Sequence, residues 1–183
     1  MPSADTFDVP PIGELVKRYL RESKVSVDPF ARNKRWAQFT NDLNPNTAAE
    51  YHMDAEAFCV MLAERGVVAD LVIIDPPYSP RQVKESYDSF GHKMEQGDAL
   101  LGAVRKRLKD AICDIVQVGG VVMTFGWNSV GMGRERGFEI REILLVCHGS
   151  DHNDTICVVE QRVAQQSEMF SAQPNQQKAK RFQ

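Results

Sequence analysis

Four successive residues, Asp75-Pro76-Pro77-Tyr78, place a carboxylate, a rigid backbone turn with two missing N–H groups and a phenol ring side by side. At average residue usage this tetrapeptide arises by chance in about one chain in a thousand of this length. Three more acids recur in similar settings. Asp28 is followed by Pro29 and Phe30, Asp42 lies in the run Asn41-Asp42-Leu43-Asn44-Pro45-Asn46, and Asp54 precedes an apolar helical pattern. Each has an ordinary use as a turn former or helix cap. Their recurrence at the ends of apolar segments predicts a site lined by carboxylates, with the tetrapeptide as its reactive corner.

The elements that must position these residues follow from hydrophobic period. Ala69–Ile74 is an apolar, β-branched run read as a buried parallel strand, and the prolines after Asp75 cannot continue a hydrogen-bond ladder. In open α/β sheets ligands bind beyond the carboxyl ends of the strands, where Asp75 then lies. Residues 12–21 have helical spacing. Val25–Val27, Trp36–Thr40 and Tyr51–Met53 are short strand candidates, and Asp54 caps a helix that ends at Gly66. Residues 79–97 are polar and predict a loop with at most one helical turn. Residues 99–118 predict a long helix broken by Gly119-Gly120, followed by a buried strand over 121–125. The segments 138–147 and 155–160 predict an antiparallel pair, with a flexible glycine-rich loop at 131–137 before them. Alternating strands and helices with a closing hairpin define an α/β class with a mostly parallel sheet. Its functional edge should collect Asp28, Asp42, Asp54, Asp75 and Trp127-Asn128.

The chain has 183 residues, 43% hydrophobic, with a formal net charge of −3. That length supports one domain, expected over residues 1–164, with a disordered Gln- and Ser-rich tail over 165–183. No apolar run reaches a membrane span and the N-terminus lacks a signal pattern, so a cytoplasmic protein is expected. Four dispersed cysteines predict small buried thiols, with no disulfide and no metal site. The acidic balance means that any nucleic-acid contact rests on local basic clusters, such as Lys17-Arg18-Arg21 and Arg32-Lys34-Arg35. Taken singly, each cluster reads as a solvated face.

The tetrapeptide resembles the catalytic motif of the phage-type N6-adenine DNA methyltransferases, which use S-adenosyl-L-methionine. The resemblance extends from about residue 8 to residue 160. It implies a Rossmann-like class I methyltransferase fold encoded by a phage or mobile element. It also implies that Asp75 accepts one hydrogen of the adenine N6 amine and the Pro76 carbonyl accepts the other. Pro77 keeps that turn rigid, and Tyr78 stacks on an adenine taken out of the duplex. Pro11-Ile12-Gly13-Glu14-Leu15 resembles the helix beside the cofactor, and Asp28-Pro29-Phe30 the start of the cofactor loop. Asp42 falls where the family places a ribose-binding acid, and Asp54 where an acid meets the cofactor's adenine amine.

One departure bears on the cofactor. The family's Gly-x-Gly after Asp-Pro-Phe is replaced by Ala31-Arg32-Asn33-Lys34, with Arg32 and Lys34 at the glycine positions. Bulky side chains hinder backbone approach to the methionine moiety unless the loop takes another path, with Arg32 or Asn33 contacting the cofactor carboxylate. The implied partner is adenine-containing DNA. There is no room for an inserted recognition domain, so target reading falls to the loops or to a homodimer or partner subunit, and low sequence specificity is expected. The alternatives are methylation of adenine in RNA or of a protein glutamine, or a catalytically silent binding subunit.

Overall fold

A six-stranded mixed sheet in the order β2-β1-β3-β4-β6-β5 organises the chain. The computed structural model describes residues 6–92, 101–149 and 153–163, with the backbone alone for 101–105. β1 (Ser26–Asp28), β2 (Phe39–Thr40), β3 (Ala69–Ile74) and β4 (Val116–Gly126) are parallel. β6 (Thr155–Arg162) runs antiparallel between β4 and the edge strand β5 (Phe138–Val146). The expected closing hairpin is present. β1 and β3 are neighbours from which the strand order departs in opposite directions, which makes a topological switch point, and Asp28 and Asp75 stand at their carboxyl ends.

β3 shows why the layers form. Its side chains alternate between faces, so Val72 and Ile74 pack with Phe58 and Leu62 of α2 (Ala55–Glu64) and Leu108 and Ile112 of α4 (Leu101–Ile115). Leu71 and Ile73 turn to the other face and meet Ile12, Leu15 and Val16 of α1 (Pro10–Glu22). Burying each such side chain contributes about 1.5–3 kcal/mol. A short 3₁₀ turn, Thr6–Asp8, precedes α1 and lies hard against it. A Cβ on Gly13 would sit 2.5 Å from the Phe7 carbonyl oxygen, so the turn docks only because this position is glycine.

Several sequence expectations are corrected. The segment after Tyr78 is not a loop: Pro80–Asp88 forms α3, with the Ser79 hydroxyl accepting from the Gln82 N–H at 3.2 Å. The Gln82 side chain returns to accept from the Tyr78 N–H at 2.7 Å. Ser-Pro-x-Gln is thus a capping signature that the polar composition obscured. α4 ends at Ile115, and Val116–Val118 belong to β4, where Val116 pairs with Ala69 across a register shift. Gly119-Gly120 therefore lie inside a strand and break nothing. Of the candidate at Tyr51–Met53 only a bridge from Tyr51 to Asn41 remains, and the one at Trp36–Thr40 shrinks to Phe39–Thr40. The 131–137 loop is anchored, since the buried Glu160 carboxylate accepts from the Met132 and Gly133 N–H groups, and Arg134–Arg136 forms a 3₁₀ turn. Cys59, Cys113 and Cys157 are buried but Cys147 is exposed. Residues 93–97 of the expected loop and the tail 165–183 lie outside the described residues. Among those described, no helix is long and apolar enough to cross a membrane.

Candidate active site

The reactive corner is closed on itself. The ladder of β3 stops at Ile74, and the Pro76-Pro77 turn returns the chain so that the Tyr78 hydroxyl donates to Asp75 Oδ1 at 2.5 Å. The ring packs against the α1-side core and meets Trp127, at the end of β4, edge-on at 5.8 Å. A hydrogen bond with the Thr6 side chain holds the phenol from a third direction. Burial, followed by the charge of Asp75 and its hydrogen bond, pushes the Tyr78 phenol far above its ordinary range, so it stays a donor at neutral pH. Tyr78 is therefore tied to the carboxylate it was expected to work beside.

Asp42 and Asp75 both lie within electrostatic range of Asp28 at the switch point. Asp28 is 1% exposed, and its carboxyl is raised well above the ordinary value by burial first and then by the charges of Asp75 and Asp42. The Phe30 N–H, donating at 2.9 Å, offsets part of that rise. Burial also raises Asp42, against the Asn44 and Arg32 N–H groups that donate to its two oxygens at 2.8 and 3.1 Å. Asp54 stands apart as the exposed N-cap of α2, where its Oδ1 accepts from the Glu56 and Ala57 N–H groups.

One residue that the sequence reading passed over joins these segments. Asn41 is fully buried, and its Nδ2 donates to the carbonyls of Pro29 at 3.1 Å and Met53 at 2.9 Å. Its Oδ1 accepts from the Met53 N–H at 3.0 Å. Its backbone accepts from the Ala31 N–H and donates to the Asp28 carbonyl, both at 2.9 Å. Asn41 thus clasps the Asp28–Lys34 loop on one side and the residue before Asp54 on the other. In sequence it is one more polar residue in a turn-like run, with nothing to mark its partners.

The departure from glycine has a structural counterpart. Arg32 adopts φ 51°, the left-handed conformation a glycine would take without cost, so the loop keeps that backbone turn with a bulky side chain on it. Asn33 is engaged, its Oδ1 accepting from the Ala48 N–H at 3.0 Å. Pro29 is buried, while Pro76, Pro77 and Phe30 are half-buried and line the same edge. Thr124, paired with Ile74 one residue before Asp75, carries a buried hydroxyl with no partner among the described residues. A cavity of about 530 Å³ opens away from Asp75, between α1 and β5.

No protein-family model and no curated protein matches the chain. Solved structures share its fold. The structure of NSun6 from Pyrococcus horikoshii with SFG is 13% identical, with a TM-score of 0.52, over 80% of this chain and 50% of that one. TrmN from Thermus thermophilus is 12% identical, with a TM-score of 0.54, over 83% and 48%. The N-methyltransferase NodS from Bradyrhizobium japonicum WM9 is 10% identical, with a TM-score of 0.53, over 90% and 100%. The chain spans about half the length of the first two. At these identities the likeness establishes the architecture, a Rossmann-like methyltransferase fold.

Proposed function

We propose that this chain is an S-adenosylmethionine-dependent methyltransferase acting on the N6 amine of adenine in DNA. The observation that carries the reading is the Asp75-Pro76-Pro77-Tyr78 turn at the carboxyl end of β3, with the Tyr78 hydroxyl on the Asp75 carboxylate. An exocyclic amine on an aromatic ring is a poor nucleophile because its lone pair is delocalised. Asp75 Oδ1 already accepts an O–H at this corner, and an N–H of an arriving amine takes the place of that phenol. The Pro76 carbonyl, on a residue whose ring restricts its backbone, accepts the second N–H. Two acceptors so fixed favour a tetrahedral nitrogen with a localised lone pair, which is catalysis by positioning and a preset field. The released Tyr78 ring and the neighbouring Trp127 ring supply apolar walls for a base taken out of its stack.

The cofactor, when bound, supplies an electrophilic methyl group on a sulfonium. The donor set suits it. Exposed Arg32 offers a cation for its carboxylate on the Asp28-Pro29-Phe30 to Lys34 loop, Asn33 supports that loop, and Asp42 offers acceptor capacity for its diol. Asp54 keeps Oδ2 without a partner among the described residues, available to an amine, and the orphan Thr124 hydroxyl awaits one more polar group.

The test is transfer of label. The protein is incubated with radiolabelled S-adenosylmethionine and unmethylated DNA, and the product is digested to nucleosides. Label in N6-methyladenine that is lost with Asp75→Ala is the expected result. Label found only in RNA or glutamine, or no cofactor binding by calorimetry, overturns the reading.

A further inference from the structure

Two basic clusters that the sequence separates converge on one indole. Lys17 of α1 stands 5.0 Å from the Trp36 ring centroid and Lys34, from the Asp28–Lys34 loop, stands 5.6 Å from it. Seven of the chain's 22 cations fall between Lys17 and Arg35, against the two acids Glu22 and Asp28. This stretch therefore carries a local positive surplus on a chain whose formal charge is −3. Grooves of about 530 and 320 Å³ flank α1, and both are lined by Lys17 and Arg21. Trp36 closes the smaller groove, while Arg18, paired with Glu142, lines the larger. Among the described residues Lys17, Arg21 and Arg35 form no ion pair. The opposing acids on this face are Glu14 and Glu142 in the larger groove, Glu22 within electrostatic range of Arg18, and Asp8, which pairs with Lys34.

The patch is coupled to the reactive corner through a single turn. In Thr6–Asp8, Thr6 hydrogen-bonds Tyr78, Phe7 stacks on Trp36 at 5.6 Å and Asp8 holds Lys34 at 2.5 Å. Three residues of 3₁₀ turn advance by only about 6 Å. Two of the cations are held over an indole that this turn ties to the site, an arrangement pre-organised for an extended polyanion that also reaches Asp75.

Resting on the methyltransferase reading above, we infer that the α1 face bearing Lys17, Arg21, Lys34, Arg35 and Trp36 binds the phosphodiester backbone of the DNA whose base is modified. It gives this small chain a sequence-independent hold on its substrate. Each phosphate neutralised releases condensed counterions, so the salt dependence of binding measures the contacts directly.

The experiment uses the full chain and a 24-base-pair G·C-only duplex, which has no adenine to engage the reactive corner. Removing two phosphate contacts with Lys17→Ala/Arg21→Ala should lower the slope of log affinity against log salt by about 1.8, and weaken binding about 60-fold at 0.1 M salt. The single exposed variant Arg35→Ala should lower the slope by about 0.9. Lys106→Ala/Arg107→Ala, which removes the same charge from α4 across the sheet, should leave the slope unchanged. An unchanged slope in the α1 variants, an equal drop in the α4 control, or competition by polyglutamate as effective as by duplex overturns the inference. Methylation of an adenine-containing duplex is followed in parallel. Loss of the slope effect with methylation intact counts against the track alone, and a slope effect in a protein that methylates nothing counts against the activity.

Discussion

Asn41→Leu tests whether the edge of this sheet is held by a side chain where a glycine loop would otherwise serve. The change nearly preserves volume and removes every polar atom of a fully buried residue. Three backbone groups lose their partners: the Pro29 carbonyl, the Met53 carbonyl and the Met53 N–H. A buried polar group left unpaired costs about 1–3 kcal/mol, which brackets the loss at about 3–9 kcal/mol. Met53 is half-buried and can turn to water, so the lower end, about 3 kcal/mol, governs. A domain with 5 to 15 kcal/mol of stability, the usual order of magnitude, then still folds at 25 °C. The Asp28–Lys34 loop and the entry to Asp54 lose their common anchor, whereas Asp75 and Tyr78 are held by β3, α3 and Thr6. Cofactor Kd should therefore rise more than about tenfold, the equivalent of 1.4 kcal/mol, while kcat at saturating cofactor stays close to that of the parent. Urea titration and calorimetry with S-adenosylmethionine measure the two effects. A stability loss below about 1 kcal/mol refutes the accounting of the clasp. A loss near 3 kcal/mol with Kd unchanged refutes its link to the cofactor loop.

Arg32→Gly should move stability and binding in opposite directions. Relief of the left-handed strain at φ 51° raises the urea midpoint by the equivalent of about 1 kcal/mol, and loss of the guanidinium weakens cofactor binding in the same calorimetric assay; lowered stability or unchanged Kd contradicts one half each. Asp28→Asn should flatten the dependence of stability on pH. The folded carboxyl is raised by burial and the unfolded one ionises near its reference value of about 3.9, so the parent loses stability as pH climbs from about 4 through the folded value. The variant cannot ionise there, and urea midpoints between pH 4 and 8 that fall as steeply as the parent's would sink the assignment.

The sheet was legible where local pattern and tertiary demand agree. β3 reads as a buried strand because all of its apolar residues have a face to bury, and the hairpin of β5 and β6 follows from two β-branched runs about a polar connection. The reading failed where partners are distant. Val116–Val118 suit a helix or a strand equally, and pairing of Val116 with Ala69 decides for the strand. Tyr51–Met53 has strand-like residues, but the Asn41 side chain occupies the hydrogen-bonding groups of Met53 that a ladder would use. α3 carried a local signal, Ser79 with Gln82, which a composition-based reading of the loop overlooked. Of the acids singled out in the sequence, Asp42 and Asp75 come within electrostatic range of Asp28, while Asp54 caps α2. Neither the tie of Tyr78 to Asp75 nor the role of Asn41 has a local signature, because each rests on a side chain meeting one partner in three dimensions.

The closed corner and the substituted loop have a common physical basis. A glycine cradle binds by allowing backbone to approach, and it leaves few side chains to order the loop before the ligand arrives. Here order is supplied in advance by side chains: Asp42 accepts from the Arg32 N–H, Asn33 from Ala48, and Asn41 spans both flanks. Tyr78 on Asp75 does the same for the reactive corner, satisfying a carboxylate that would otherwise face its acidic neighbours with no donor from the tyrosine. Pre-ordering lowers the entropy to be lost on binding, but each internal bond must then be replaced by a ligand atom of matching chemistry. The Tyr78 hydroxyl can be exchanged only for another donor. That requirement selects an N–H-bearing substrate at Asp75 and disfavours a carbonyl or ether oxygen, whatever molecule presents it.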